Sequence, residues 1–354
     1  MSQPDNTTPA ASAQPDGHLG ELATGVAIAL LLRHAAQALR LEHGAANRAI
    51  TPVRVAAVAL SRWAANQWVQ SAGGLDKPLD AIGWARLQPE LIHRLNSVRP
   101  DPAPTLPLDV GKAYRLGARQ ADTALGIPTR DITLPDTLPL PDLAAVVDRR
   151  YGMAERLLST QPIQTWDQLS VALAPVHGAV ADVDRDVRTV VNTAVNLAAH
   201  DAAVEYGADL LWMAERDACV VCLALAGSVV AADEDFDADA TFGDKPTAWW
   251  RDDDTGPLRP PRHPRCRCRC EPWLGHSGPP GSLSLPDALK REAQRSVLRG
   301  WSLPSESESV RVRAADRLLK RGSSLPKSVR AYARRAVEKG RFPTRTVPTG
   351  KETA

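Results

Sequence analysis

Between Leu19 and Asn96 the apolar side chains recur mainly at helical spacing and predict three helices. The first carries Leu30, Leu31, Ala35 and Leu39 with His34 on the same stripe; the second runs over Val53 to Val69 and the third over Asp80 to Leu95. Before them, Met1 to Gly17 is too polar to bury surface that would offset its ordering entropy, which predicts a disordered leader. Two proline-rich stretches follow, Arg99 to Leu108 and Ile127 to Pro141, and read as linkers or extended arms because each proline removes a backbone donor. A short helix is expected between them, over Val110 to Leu125. A second helical block spans Asp142 to Gly207, broken around Thr160 to Ile163 and loosened at Pro175 to Gly178. Its last helix, Val180 to Tyr206, has a continuous apolar stripe of Val183, Val187, Val190, Val191, Ala194, Val195, Ala198 and Ala202. Asn192, Asn196 and His200 share another face, read as a solvated or interhelical polar stripe.

These patterns divide the chain into a leader (1–17), an N-terminal helical domain (18–98), a proline-rich linker with one helix (99–141), a helical and cysteine-rich segment (142–274), and a linker with a basic helical tail (275–354). Only 5% of residues are aromatic, and the 44% apolar content is mostly Ala, Leu and Val, which favours helix over sheet. The expected fold is mainly α, with little β confined to a small module. The longest apolar run, Ala23 to Leu32, is half the length of a membrane span and reads as a buried helix. The polar start lacks the layout of a secretory signal, so a cytoplasmic beginning is expected.

Net charge is +2, but its distribution is uneven. Residues 281–354 hold 17 Lys plus Arg against 7 Asp plus Glu, a balance of +10, which leaves −8 for the rest. That tail contains a weak repeat, Arg299-Gly-Trp-Ser-Leu-Pro304 and Arg321-Gly-Ser-Ser-Leu-Pro326. In each copy the glycine stops one helix and Ser-Leu-Pro starts the next. Such a tail suits DNA phosphates or an acidic protein surface, or is simply solvated.

All five cysteines lie between 219 and 270, as Cys219-Val-Val-Cys222 and then His263-Pro-Arg-Cys266-Arg-Cys268-Arg-Cys270. Two thiolates separated by two residues bite one metal from a tight turn, and a second group far along the chain completes a tetrahedral site. In a reducing compartment such spacing points to zinc; the alternative is a set of free cysteines, or disulfides formed later. Zinc takes four ligands and six donors are present. The preferred set is Cys219, Cys222 and Cys268 with either Cys266 or His263, and Cys270 is the spare. His263 has two possible roles, ligating directly or hydrogen-bonding a ligand sulfur. Arg262, Arg265, Arg267 and Arg269 either compensate the anionic centre or face solvent or nucleic acid. A site saturated by thiolates has no open position for water, so a structural role is expected over hydrolysis, and no His-Glu-x-x-His motif occurs. Between the two groups, Ala231 to Asp254 holds nine acids. Asp233, Asp235, Asp237 and Asp239 alternate, but the glycine and terminal glutamate of a calcium loop are missing, so a solvated acidic loop is expected. Trp249 and Trp250 in that loop have no assigned partner.

The run Leu211-Trp212, Asp217-Ala-Cys219-Val-Val-Cys222-Leu-Ala-Leu-Ala-Gly227, then Pro260-Pro261-Arg-His263-Pro264-Arg-Cys266-Arg267-Cys268, resembles the C-terminal region of MuF-like phage minor head proteins. The likeness covers residues 185 to 271, loosely so at Arg188 to Asn196, and this chain departs from the family pattern in its long acidic loop and in Cys270. The resemblance implies a non-enzymatic head-morphogenesis protein of the virion, made in the host cytoplasm. Its implied partners are portal and capsid proteins and packaged DNA, with no membrane and no small-molecule substrate. The competing expectation is an enzyme of the head, either a maturation protease or a zinc-dependent nuclease.

Overall fold

The computed structural model describes residues 17–102, 104–138, 140–237, 240–242, 259–263, 266–275, 284–300, 307–321 and 326–342. The leader expected over 1–17 lies outside them except for Gly17, which opens helix α1 (Gly17–Ala72). Where two helices were expected, α1 is one, and it continues through Pro52. A mid-helix proline costs about 3 kcal/mol. Here Ala45, Ala46, Ala49 and Ile50 before it, and Val53, Ala57, Leu60, Ala64 and Trp68 after it, form one buried stripe that a break would take apart. Helices α2 (Ala81–Ser97) and α4 (Leu143–Thr160) start where an aspartate can cap them: Asp80 accepts from the Gly83 N–H at 2.7 Å and Asp142 from the Ala145 N–H at 2.9 Å. Helix α3 (Leu106–Leu125) begins four residues earlier than expected, because proline suits a first helical turn.

Helix α5 (Trp166–Tyr206) is entered through a capping box of Thr165 and Gln168 and ends at Gly207 in the left-handed region. The loosening expected at Pro175 to Gly178 does not occur. Leu169, Leu173, Val176, Ala179 and Val183 are buried on both sides of the proline, and their burial outweighs its cost. One apolar cluster runs from Ala38 to Ala198, drawing on α1 to α5, with α1, α3 and α4 packed on α5. The chain between α3 and α4 lays Ile132, Leu134 and Leu138 on this cluster, so the second proline-rich stretch clothes the core. At Gly117 a Cβ would stand 2.4 Å from the Val195 carbonyl oxygen, so glycine sets the closeness of α3 to α5.

Beyond Gly207 the chain forms β1 (Asp209–Met213), helix α6 (Val220–Leu225), β2 (Val229–Val230) and β3 (Arg269–Trp273), giving an antiparallel sheet of order β2-β1-β3. Trp212 pairs with Cys270 and Leu211 with Glu271 across β1 and β3. Helices α7 (Leu285–Leu298), α8 (Glu308–Arg321) and α9 (Lys327–Glu338) follow. Composition predicted these helices as a basic tail, but their apolar faces are not left in solvent. Ala293, Val297, Leu298, Ala314, Ala315, Leu318, Ala333 and Ala336 join Trp212, Cys222, Leu223 and Cys268 in a second core. Gly227, at φ +76°, is required for this docking, since a Cβ there would meet the Pro286 carbonyl oxygen at 2.2 Å. Helix α7 opens on Ser284-Leu-Pro286, a further copy of the starting tripeptide, with Ser284 accepting from the Asp287 N–H. The two helix starts expected at Ser302 and Ser324 fall later, at Glu308 for α8 and at Lys327 for α9, whose N-cap is Pro326; the linker expected at 275–282 lies outside the described residues, Gly275 apart. No helix among the described residues is long and apolar enough to cross a membrane.

The Gly117 crossing generates a measurable contrast. Gly117→Ala should lose about 1–3 kcal/mol in chemical denaturation, from overpacking against Val195. Gly25→Ala, on an open stretch of α1, should be neutral or gain up to about 1 kcal/mol.

Candidate metal centre

Cys219 is the N-cap of α6 and Cys222 lies in its first turn, so both thiols point to one side. A turn closed by the Cys266 N–H and the His263 carbonyl (2.9 Å) sets the second group beside the first. The His263 Nε2 atom lies 3.3 Å from Cys219 Sγ and 3.5 Å from Cys222 Sγ, and Cys222 Sγ is 3.7 Å from Cys266 Sγ. Cys268 completes a group with Cys222 and Cys266 whose donor atoms all lie within 4.8 Å of one another, as do those of Cys219, Cys222 and His263. The five expected residues therefore converge, with Cys222 common to both groups, near enough to hold a metal ion. Cys222, Cys266 and Cys268 are buried and Cys219 and His263 half-buried.

Without a cation, sulfurs this close must share protons. Hydrogen bonding from Cys222, then from His263, holds the Cys219 thiol well below its ordinary range, and the same sharing with Cys219 pushes Cys222 well above it. A divalent ion removes this conflict by letting the ligating thiolates ionise together. Cys270 stands apart: its sulfur faces Asn196, 3.5 Å from Oδ1, and burial followed by the Glu271 charge pushes its pKa up to about 12. Asp233, Asp235 and Asp237 join no metal-sized group among the described residues. Asp239 and the stretch 243–258, with Trp249 and Trp250, lie outside those residues. What anchors the described part of the acidic loop is Phe236, buried edge-on against Trp212 at 5.0 Å.

The residues that seat the strand from Cys266 to Cys270 are two members of the polar stripe on α5, and they are neither solvated nor interhelical. Asn192 Nδ2 donates to the carbonyls of Cys266 (2.9 Å) and Cys268 (3.2 Å), and Asn196 Oδ1 accepts from the Cys270 N–H at 2.8 Å. Both asparagines are buried, and they satisfy backbone groups that strand pairing leaves open. The available signal is two amides four residues apart, set among the apolar residues Val190 to Ala199 of α5. His200 does not join them; its Nδ1 lies 3.2 Å from Asp201 Oδ1.

Alternation along the strand sends the interleaved arginines to the opposite side. Arg267 and Arg269 are 7% and 3% exposed, which removes them from solvent and from nucleic acid. Arg267 Nε donates to Glu42 Oε1 at 3.1 Å, and Arg188 Nη1 donates to the same oxygen at 3.0 Å. Arg269 Nη2 donates to Gln120 Oε1 (2.7 Å) and Glu271 Oε1 (2.5 Å), while His34 Nδ1 lies 3.6 Å from Glu271 Oε1. The strand that carries these residues is thus ion-paired to α1 and hydrogen-bonded to α3 and α5. Arg262 is half-buried, and the Arg265 side chain lies outside the described residues. Burial, then the neighbouring Asp217 charge, raises Glu215 to about 7.

Set beside known proteins, the chain matches no protein-family model, no curated protein and no solved structure.

Removing one partner of a buried ion pair strands the other charge. Glu42→Ala, which leaves Arg188 and Arg267 facing each other, should lower stability by about 3–5 kcal/mol. Lys320→Ala, which breaks an exposed pair with Asp316, should change it by less than about 0.5 kcal/mol in the same urea titration.

Proposed function

We propose that Cys219, Cys222, His263, Cys266 and Cys268 form a structural zinc centre in a phage minor head protein of the MuF-like kind, acting at the portal during head assembly. The observation that carries the reading is convergence. The two motif halves behind the resemblance, about forty residues apart in sequence, meet at one point. The spacing supports zinc: bonds of about 2.3 Å to sulfur in a tetrahedron place sulfurs about 3.8 Å apart, against 3.7 Å between Cys222 and Cys266. Five candidate donors for four positions make the centre a clamp, with Cys222 central and one of the others serving as a hydrogen-bond partner to a ligand. When bound, the ion supplies cross-linking between α6 and the ligand strand. The asparagines of α5 orient that strand, and Arg267 and Arg269 tie it to the helical core.

A clamp of this kind gives the head protein a rigid docking module made from segments too short to hold a fold alone. Co-expression with the portal protein of the same genome, followed by affinity purification, tests the assembly role. A stoichiometric complex is expected from the wild-type chain, and its absence with zinc-loaded, folded protein would overturn the role while leaving the metal centre standing.

The metal is tested separately. One zinc per chain is expected by elemental analysis of reduced protein, with a chelator lowering the melting temperature. Cys222→Ser and Cys268→Ala should lose the metal and Cys270→Ala should keep it. Asn192→Ala should keep the metal but weaken it by roughly 10–100-fold in a competition titration, as expected for a residue that orients ligands.

A further inference from the structure

Helix α9 turns Lys327, Arg334, Arg335 and Lys339 to solvent, and Arg341 follows them, against one exposed acid, Glu338. On the neighbouring helices Lys290, Arg291 and Arg313 are exposed as well, while other cations are engaged within the fold. Arg295 pairs with Glu292, Lys320 pairs with Asp316, and Arg321 lies over the Phe242 ring while donating to the Thr241 carbonyl. These five of the six cations of α9 and its end, the sixth being the half-buried Arg330, make no ion pair or side-chain hydrogen bond among the described residues. Arg335 and Lys339 stand four residues apart on one face, an arrangement in which like charges repel unless an anion lies between them.

Three of these cations border a cleft of about 420 Å³ between the first turn of α8 and the end of α9. Arg335, Lys339 and Arg341 form its cationic side, Tyr332, Ala336 and Phe342 its apolar side, and Glu308 stands at its rim. Phe342 is 3% exposed and packs against the half-buried Tyr332, with ring centroids 6.3 Å apart, and both rings line the cleft. The volume falls in the range of small-ligand sites.

We propose that this cleft takes a nucleotide unit of single-stranded nucleic acid, with the base against Tyr332 and the phosphates on Arg335, Lys339 and Arg341. A cationic groove beside an aromatic face is the arrangement that holds unpaired strands without reading sequence. An acidic peptide would satisfy the cations but leave the aromatic wall uncovered and bring its carboxylates against Glu308. A base instead offers amino groups that a carboxylate accepts from. Duplex DNA keeps its bases stacked and out of such a cleft. The inference stands on the α8 and α9 surface and is independent of the metal and of the portal role.

The test is fluorescence anisotropy of the full chain with a labelled single strand of about twelve nucleotides. Arg335→Gln and Lys339→Gln should each weaken binding several-fold and flatten the salt dependence by about 0.7 per lost contact. Tyr332→Leu should weaken it about ten-fold without changing the salt slope, and Tyr332→Phe should bind as the wild type does. Melting curves establish that each variant is folded. Lys290→Gln, exposed on α7 and outside the cleft, should bind normally. Displacement of the strand by an equal concentration of free nucleotide would support the cleft and identify the nucleotide itself as the ligand. Equal affinity for duplex without dependence on Tyr332, tighter binding of polyglutamate, or an equal loss in Lys290→Gln would each overturn the proposal.

Discussion

Four thiols and an imidazole crowded into a largely buried space set the condition that the rest of this structure serves. Desolvated sulfurs at these distances cannot all carry charge unless a cation is shared among them. Each neighbouring element has a defined part in holding them there. Helix α6 presents one pair, the turn at His263 to Cys266 presents the next donors, and the asparagines of α5 occupy the backbone groups of the ligand strand.

Helix α5 is the element through which the two halves of the molecule are built into one another. The larger apolar cluster reaches Ala198 on this helix, and the second begins at Ala199. Its single length therefore packs in the bundle of α1 to α4 and reaches β1 and β3 near its end, while α1 makes the contact with α7. The ligand strand reinforces the join with charge. Its thiols at Cys266 and Cys268 turn to the cysteine and histidine cluster, while Arg267 and Arg269 turn to Glu42, Glu271 and Gln120. Buried ion pairs contribute little net stability compared with apolar packing, but they penalise any other register of the strand, because a slip by one residue would bury arginines among sulfurs.

The C-terminal helices show how composition and packing divide one segment between two tasks. Small apolar residues at helical spacing, Ala314, Ala315 and Leu318 on α8 and Ala333 and Ala336 on α9, pack inward and complete the second core. The cations occupy the other faces, so the positive charge is displayed on a scaffold that the thiol-bearing module itself helps to stabilise.

Local features of the sequence determined the helical class, the starts at Asp80 and Asp142, the stop at Gly207 and the grouping of Cys219, Cys222, His263, Cys266 and Cys268, because caps, periodicity and ligand spacing act over a few residues. Tertiary structure alone decided that Pro52 and Pro175 lie inside continuous helices, since the burial that offsets a missing hydrogen bond comes from partners far along the chain. It also decided that Asn192 and Asn196 support the ligand strand, that Arg267 and Arg269 face inward, and that Phe236 pins an acidic loop. A polar side chain in a sequence carries no mark of which backbone group or charge will lie opposite it. That depends on which elements the apolar cores bring together.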